Sequence, residues 1–512
     1  MRGGVSNPRV VVIGAGMSGL AMGVKLKAAG FDDFTILEKG SDVGGVWFWN
    51  RYPGLACDVP SLLYRYSFQN KTDWPKVFSA RDDIHRYHRD VADTHDLWPH
   101  IRLDTEVTGA CFRDGRWHVD TAAGDRLTAD FLVAATGVLH HPNTPDIPGL
   151  DDFTGKVVHT ARWDPDLETD GKRVAVIGGG STGVQITGAL APTVRSLAVF
   201  QRTPQWVLWA PTTVRQPKFL TALFNRFPSA AQASYRASVR ASALFTDLTI
   251  HPGFKRTAVQ TYARLCLYLI RDRELRERLR PDYQPLCKRQ VLSGNYFRAI
   301  SRPNVEVITD RIDHVDRTGI VTVDGRHHDL DVIVLATGFR AHNYMRPMSV
   351  TGRDGITIDQ AWDSGPHAFA MTSIPGFPNF FTILGPNSPV GSIHLQTAAE
   401  LTCDHIVAWV EKHARGEMAT VEVTTSATDR FNAEVRKALE PTVWNTGCQS
   451  WYFKEDGSVD LWPFDLATLK SHLGAPDLAD YSLTRPRARS LTESDLTRAR
   501  RSSDPRPPGS LG

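Results

Sequence analysis

The chain has 512 residues, which is enough for two or three domains with sizeable cores. Its 59 Lys and Arg residues nearly balance 56 Asp and Glu residues, and the formal net charge of +3 is too small to indicate binding to nucleic acid or to a membrane. No apolar run approaches the ~18 residues that a membrane-spanning helix needs, so we expect no membrane span.

The first predicted element is a buried strand that leads into a glycine-rich loop and a helix. The apolar run beginning at Val10 directly precedes Gly14-x-Gly16-x-x-Gly19. In this context the glycines permit a tight turn, close approach of the backbone to a pyrophosphate, and packing of helix on strand. Glu38 ends the next predicted strand, where a carboxylate can bind ribose hydroxyls and would repel a 2′-phosphate. The unit predicts FAD binding; the alternative is a structural glycine turn with a surface glutamate.

An aromatic segment follows this unit. Residues 44–58 read GGVWFWNRYPGLACD, with two tryptophans and one tyrosine at short intervals and an aspartate at the end. Taken singly, most aromatic residues of a chain serve packing. The spacing of the whole set is what singles out this segment as a candidate part of the site.

Residues 153–164 form a spaced pattern, F-x-G-x-x-x-H-x-x-x-W-D, made by Phe153, Gly155, His159, Trp163 and Asp164. The histidine has two interpretations, a general base or a residue with a conformational role. Because the pattern lies at the predicted join between two domains, we favour the conformational role.

A second strand–loop–helix unit follows a proline-rich link over residues 141–149. Its loop reads GGGSTG over residues 178–183, and Arg202 stands where Glu38 stands relative to the first loop. A guanidinium can pair bidentately with a phosphate, and Thr203 can donate a further hydrogen bond. The unit predicts binding of NADPH in preference to NADH; the alternative is an unspecialised surface arginine.

Composition changes twice in the rest of the chain. Residues from about 216 to 280 combine Ala, Leu, Arg and aromatic residues at helical spacing, which predicts a helical insertion. Two predicted strands end in Ala-Thr-Gly, at Gly137 and Gly338, and we interpret them as the points where the chain passes between domains. After about residue 475 the chain becomes rich in Arg, Ser, Asp and Pro, which predicts a disordered tail.

Six cysteines lie far apart, and no pair has C-x-x-C spacing. The pattern therefore encodes neither a zinc site nor the redox pair of a flavin-disulfide reductase. Scattered single thiols fit a reducing compartment, so we expect a cytoplasmic protein without a bound metal.

Residues 44–58 and 153–164 resemble the two fingerprints of the Baeyer–Villiger monooxygenases. These enzymes use FAD, NADPH and O2 to oxidise ketones to esters or lactones through a C4a-peroxyflavin. The related N- and S-oxidising flavin monooxygenases carry Tyr at the position of Trp163. The similarity extends over residues 9–470, but the loop after Trp451 departs from the Gly-Ala-Asn of well-studied members.

The resemblance implies an α/β fold with two Rossmann-like dinucleotide-binding domains. We expect the first part of a discontinuous FAD-binding domain over residues 1–140 and its second part over 336–475. The NADP-binding domain, with the helical insertion at about 216–280, takes 141–335, and the tail takes 476–512.

The resemblance also implies the residues that bind the two cofactors. For FAD these are Gly14, Gly16, Ser18, Gly19, Glu38, Val46, Trp47, Trp49, Asp58, Tyr64 and Val107. For NADPH they are Gly178, Gly179, Gly180, Ser181, Thr182, Gly183, Gln185, Arg202, Thr203, Lys288 and Arg289.

Arg289 is the implied catalytic residue, with Asp58 as the partner that orients it. A guanidinium remains protonated and can stabilise an anionic peroxide and the oxyanion formed on the carbonyl. Without the resemblance, Lys288-Arg289 is an ordinary dibasic pair.

Two other functions remain open at this point. A flavin N- or S-monooxygenase would use a protonated C4a-hydroperoxyflavin and would not need Arg289. An uncoupled NADPH oxidase would release peroxide without converting a ketone. The expected partners are a small ketone and O2; the sequence names neither the ketone nor the oligomeric state.

Overall fold

The computed structural model describes residues 7–485, whose elements are numbered here in chain order. Up to residue 140 these are β1 Val10–Ile13, α1 Met17–Ala28, β2 Phe34–Leu37, α2 Val46–Trp49, α3 Arg81–Thr94, β3 Ile101–Arg102, β4 Val107–Arg113, β5 Arg116–Thr121, β6 Arg126–Ala129 and β7 Phe131–Ala134. From 141 to 335 they are β8 Lys156–His159, β9 Arg173–Ile177, α4 Ser181–Leu190, β10 Ser196–Phe200, β11 Val207–Trp209, α5 Lys218–Arg226, α6 Pro228–Ile250, α7 Phe254–Cys266, α8 Arg273–Arg278, β12 Val291–Ser293, α9 Tyr296–Ile300, β13 Val305–Ile308, β14 Ile312–Val315, β15 Gly319–Thr322, β16 His327–Asp329 and β17 Val332–Leu335.

The remaining part contains a long helix and several short elements. They are β18 Ser349–Thr351, α10 Ile358–Ala361, β19 Phe380–Thr382, α11 Leu395–Ala414, β20 Thr420–Val423, α12 Thr425–Leu439, α13 Leu466–His472 and β21 Tyr481–Thr484. In the described part of the chain, no helix has both the length and the apolar character needed to cross a membrane.

The first glycine loop belongs to a parallel sheet with the strand order β19-β7-β1-β2-β3. Strand β1, with the sequence VVVI, is buried along its whole length, as expected for a strand covered on both faces. Because β19 comes from beyond residue 335, the two sequence-distant parts of the chain share this sheet and its core.

The second glycine loop belongs to another five-stranded parallel sheet, with the order β13-β10-β9-β17-β8. Each sheet contains a strand, a glycine loop and a helix in immediate succession. The predicted α/β class with two Rossmann-like units is confirmed.

Two connecting segments join the sheets, and they pair with each other. The amide of Asn143 donates to the Gly338 carbonyl at 2.9 Å, and the amide of Arg340 donates to the His141 carbonyl at 2.9 Å. The two Ala-Thr-Gly endings therefore lead into one short two-stranded connector.

The segment predicted to be helical, 216–280, forms helices α5 to α8. It also contacts the half of the molecule that contains the first sheet. A guanidinium N–H of Arg65 donates to the Ala231 carbonyl at 3.2 Å, and the hydroxyl of Thr246 donates to the Ser392 carbonyl at 3.1 Å. The insertion thus bridges the two units.

The predicted disordered tail, residues 476–512, includes a segment that is a β-strand in the structure. Tyr481–Thr484 pairs antiparallel with Thr420–Val423, and these contacts order a segment whose composition alone predicts disorder. The rest of the predicted tail, from residue 486, lies outside the described residues.

The expectation of six single thiols is wrong for two of them. Cys287 and Cys448 form a disulfide across 161 residues of sequence. Local spacing does not reveal such a pair, because only the tertiary fold brings the two segments together.

Candidate active site

The first glycine loop has the backbone geometry that a bound pyrophosphate requires. Gly14 has φ of +103°, and a Cβ there would lie 2.7 Å from the Ala135 carbonyl oxygen. Helix α1 begins after Gly16 without a side-chain cap, so its first amides keep their capacity to bind an anion. Ser18 is buried within this first turn. The cradle fits the diphosphate of a dinucleotide.

Glu38 lies at the end of β2, directly below this loop. Its carboxylate accepts hydrogen bonds from the amides of Ala15 and Gly40, both at 2.8 Å. Burial raises the pKa of Glu38, and the two amide hydrogen bonds oppose that rise. The loop and the carboxylate are therefore held as one rigid unit, in the arrangement that suits a ribose hydroxyl.

The aromatic segment forms a connected layer beside this unit. The indole N–H of Trp47 donates to the Tyr64 hydroxyl at 2.6 Å, and the two rings meet edge to face. Trp49 is stacked against the Arg162 guanidinium at 5.0 Å from the ring centroid. Val46 is partly exposed on α2.

Val107 is buried at the start of β4 and pairs with Thr121 in the neighbouring strand. Its side chain belongs to the core, so only its backbone is available for the adenine contact that the resemblance implies.

The second loop repeats the geometry of the first. Gly178 has φ of +124°, and a Cβ there would collide with the Ala336 carbonyl. Gly179 lies against Gln201, whereas the space beside Gly180 is open. Helix α4 begins at Ser181 without a side-chain cap, and its first turn comprises Ser181, Thr182 and Gly183. This cradle also fits a diphosphate.

Two cations lie together beyond the end of β10. Arg202 and Thr203 are exposed, and the Lys288 ammonium lies 4.2 Å from the centroid of the Tyr283 ring. Burial lowers the pKa of Lys288, and the nearby charge of Arg202 lowers it further. A pair of like charges at this position suits a doubly charged phosphate.

Gln185, in helix α4, makes two side-chain hydrogen bonds to the aromatic segment. It accepts a hydrogen bond from the Tyr52 hydroxyl at 2.9 Å, and its amide group donates to the Ala56 carbonyl at 2.9 Å. Gly54, in the same segment, leaves no room for a side chain beside Gln185 and Ala189. Gln185 therefore joins α4 to the aromatic segment, and both functional groups of its amide are used.

Arg289 and Asp58 form a close ion pair although 231 residues separate them. The carboxylate of Asp58 accepts from Nε of Arg289 at 3.0 Å and from Nη2 at 2.8 Å. The side chains keep 31% and 21% exposure, so the pair lies at a surface of the site. The charge of Asp58 raises the pKa of Arg289 against the effect of burial.

Two further groups fix the guanidinium, and neither was predicted. Nη1 of Arg289 donates to the Val390 carbonyl at 2.6 Å. Tyr452 is 2% exposed; burial raises the pKa of its hydroxyl to about 12, while the charge of Arg289 opposes the rise, which shows that the hydroxyl lies near the guanidinium. Nη1 carries two N–H groups and Val390 accepts one of them, so the other is left for a further acceptor, either the Tyr452 hydroxyl or a bound oxygen.

The disulfide supports the same arrangement. Cys287 precedes Arg289 by two residues and Cys448 precedes Tyr452 by four, and both cysteines are buried. Their bond therefore joins the two segments that meet at the guanidinium.

The spaced pattern of residues 153–164 lies at the edge of the second sheet. Gly155 has no space for a side chain because the Phe153 ring and the Asp331 carbonyl fill it. His159 ends β8 and accepts from the Ala161 amide at 3.1 Å, and burial lowers its pKa. Trp163 is buried in the core beneath the second sheet, and Asp164 is exposed.

The pattern also reaches both the connector and the first unit. The His159 ring contacts Phe339 edge to face at 6.2 Å, and Arg162 stacks on Trp49. His159 and its neighbour Arg162 thus contact the connector and the first unit. Among residues 7–485, no cluster of three or more His, Cys, Asp or Glu side chains is arranged to hold a metal ion.

Known proteins resemble this chain along most of its length. Residues 11–216 match the family described as pyridine nucleotide-disulphide oxidoreductase. An uncharacterized monooxygenase of Mycobacterium tuberculosis is 47% identical over 478 residues, which cover 93% of this chain and 96% of that protein. A Baeyer-Villiger monooxygenase of Streptomyces coelicolor is 37% identical, with 93% of each chain covered.

Among solved structures, cyclohexanone monooxygenase from Rhodococcus sp. Phi1 bound to NADP+ superimposes with a TM-score of 0.84. It is 29% identical, and the match covers 94% of this chain and 99% of that one.

Proposed function

This chain belongs to the Baeyer–Villiger monooxygenase family, and from that premise we propose that it inserts one oxygen atom next to the carbonyl of a ketone to give an ester or lactone. The reaction uses FAD, NADPH and O2. The observation that carries the proposal is the Arg289 guanidinium, which Asp58 and Val390 hold and whose second Nη1 N–H neither of them uses.

When bound, FAD would carry the electrons of NADPH to O2, and O2 would supply the oxygen atom that is transferred. The chain supplies a fixed positive charge where negative charge develops on oxygen. Arg289 keeps its proton because the adjacent Asp58 raises its pKa. Removal of one such preorganised donor costs ~10²–10³-fold in rate.

Asp58 orients Arg289 through the bidentate contact. Such fork geometry limits rotation of the guanidinium and leaves the Nη1 side to face the reacting groups. Loss of the carboxylate would leave the arginine charged but poorly directed.

The two glycine loops divide the cofactors between them. Glu38 accepts ribose hydroxyls of FAD and repels a 2′-phosphate, whereas Arg202, Thr203 and Lys288 attract the 2′-phosphate of NADPH. The remaining residues of the two predicted sets complete the same two cofactor sites in this proposal, and Gln185 also joins the second loop's helix to the aromatic segment.

His159 has a conformational role. It contacts Phe339 in the connector, and its neighbour Arg162 contacts Trp49 in the first unit. A movement of one unit against the other would pass through these two contacts.

We place the protein in the cytoplasm, where NADPH is supplied. The disulfide does not oppose this location, since Cys287 and Cys448 are 0% and 5% exposed and shielded from reductants.

The test of the function is the variant Arg289→Ala, with the exposed Arg298→Ala as its matched control. The variant should bind FAD and accept hydride from NADPH, yet form ester at least ~10²-fold more slowly than the control. Stopped-flow absorbance follows flavin reduction, and gas chromatography follows the ester. Ester formation by Arg289→Ala at the control's rate would refute the assigned role.

A further inference from the structure

Helix α7 exposes an apolar face. Its opposite side is buried through residues such as Ala263 and Cys266, at 0% and 4% exposure. A helix on a protein surface normally presents polar residues on its outer side. The outer side here instead presents large apolar residues with these exposed fractions: Phe254 81%, Tyr262 42%, Leu265 59%, and, just beyond the helix, Tyr268 63% and Leu269 48%.

These residues share one side of the helix because of their spacing. Phe254, Tyr262 and Leu265 follow one another at intervals of eight and three residues, which keeps them on one helical face, and Tyr268 and Leu269 lie in the turn that follows the helix. Trp209 extends the face, since its carbonyl accepts a hydrogen bond from the Tyr262 hydroxyl and its side chain is 49% exposed. We call this set the α7 face.

The helical insertion that carries the α7 face is strongly positive. Residues 216–280 contain twelve Lys and Arg against four Asp and Glu, a net charge of +8 in a chain whose total is +3. Residues 254–270 contain no acidic residue at all. The Arg276 guanidinium lies 5.1 Å from the centroid of the Tyr268 ring, so cation and apolar surface are in direct contact.

We propose that the α7 face binds the surface of an anionic phospholipid bilayer. Single aromatic and leucine side chains projecting from a helix can enter the boundary between headgroups and acyl chains, while flanking cations remain among the phosphates. A second copy of the chain fits less well, because two surfaces of the same positive sign would be opposed. The partner must be anionic and must accept apolar side chains together.

Binding at this face would bring the reaction site close to the lipid. On the inner side of α7, the Gln260 side chain donates to the Pro285 carbonyl at 3.1 Å, four residues before Arg289. The thickness of one helix, about 10 Å, therefore separates the lipid from the segment that carries the arginine. The proposal does not depend on which oxidation the site performs.

The experiment is co-sedimentation of the FAD-loaded full chain with vesicles. One set is pure phosphatidylcholine and the other contains 30% phosphatidylglycerol, at low and at high salt. The test variant is Phe254→Ser/Leu265→Ser/Tyr268→Ser. The matched control, Val323→Ser/Leu478→Ser, removes two apolar residues of 55% and 50% exposure elsewhere on the surface.

The wild type and the control should bind the anionic vesicles, and more weakly in high salt. The triple variant should bind roughly 100-fold more weakly, since three apolar side chains no longer enter the lipid. All three proteins should reduce their flavin with NADPH equally, which shows that they are folded.

Absence of wild-type binding to either vesicle would overturn the proposal and leave the face to a protein partner. Equal binding by the triple variant would also overturn it. Sedimentation velocity distinguishes the remaining case: a dimer that the triple substitution dissociates, without vesicle binding, would assign the face to a second copy.

Discussion

Cys287 and Cys448 are joined by a disulfide that holds the segment of Arg289 against the loop of Tyr452. Cys287 precedes β13 and β17, two strands of the second sheet, whereas Cys448 follows α12 in the C-terminal part of the chain. The position of the guanidinium therefore depends on a covalent link as well as on Asp58.

Breaking this link should lower both stability and the rate of the oxygen-transfer step. We expect Cys448→Ser to cost about 2–4 kcal/mol in the free energy of unfolding, because a long loop is no longer closed. Denaturant titration with and without dithiothreitol measures this cost. The reductant should destabilise the wild type and the control Cys111→Ser, but should have no effect on Cys448→Ser. Equal responses of all three proteins would contradict the account.

Tyr452 should act as a positioning residue for Arg289. Tyr452→Phe removes the hydroxyl and its contact with the guanidinium but keeps the packed ring. We expect kcat for ester formation to fall roughly 10-fold, the equivalent of one hydrogen bond to a charged group, with little change in the KM for NADPH. A change confined to thermal stability, with kcat unaltered, would assign Tyr452 a purely structural role.

Selection of NADPH should depend on Arg202. Arg202→Ala should raise the KM for NADPH by about 10–100-fold, because one charge-assisted contact with the 2′-phosphate is lost. The KM for NADH should change little. Arg195→Ala provides the control, since Arg195 is an exposed arginine preceding β10 whereas Arg202 follows it. A parallel rise for both cofactors would remove the phosphate assignment.

Stability should fall in mild acid because of buried histidines such as His405. This ring accepts from the Trp409 indole at 3.2 Å, and burial lowers its pKa from 6.5 to about 4. Between those pH values the unfolded chain binds the proton and the folded chain does not, so the contribution is complete above about pH 6.5 and is lost as the pH falls toward 4.

His405→Gln should therefore weaken the pH dependence by about 2–3 kcal/mol between pH 7 and 4.5. Urea unfolding at the two pH values measures the difference, with the exposed His251→Gln as the control. Identical pH dependence in the wild type and His405→Gln would show that this histidine titrates normally.

The sequence predicts the cofactor loops well because their requirements are local. Gly14 and Gly178 have a positive φ, and each contacts the backbone beneath its loop too closely for a side chain. Because only glycine meets both conditions easily, the sequence shows glycine at fixed spacing. The approach of Asp58 to Arg289, by contrast, follows from the family resemblance and not from any short-range pattern.

Other parts of the site leave no such local mark. The Val390 carbonyl is a backbone group, the disulfide spans 161 residues, and Tyr452 lies in the loop where the chain departs from the family pattern. The net charge of the whole chain, +3, likewise does not reveal that residues 216–280 carry a net charge of +8, because acidic residues elsewhere in the chain compensate for it. These features arise only when the fold brings distant segments together.

Incubation with oxygen-18 tests the central claim most directly. Purified, FAD-loaded protein is mixed with NADPH, labelled O2 and a panel of linear, cyclic and aromatic ketones, and the products are analysed by mass spectrometry. We expect an ester or lactone that carries one labelled oxygen, formed by the wild type and Arg298→Ala but not by Arg289→Ala. Consumption of NADPH with only peroxide or sulfoxide as product, across the whole panel, would contradict it.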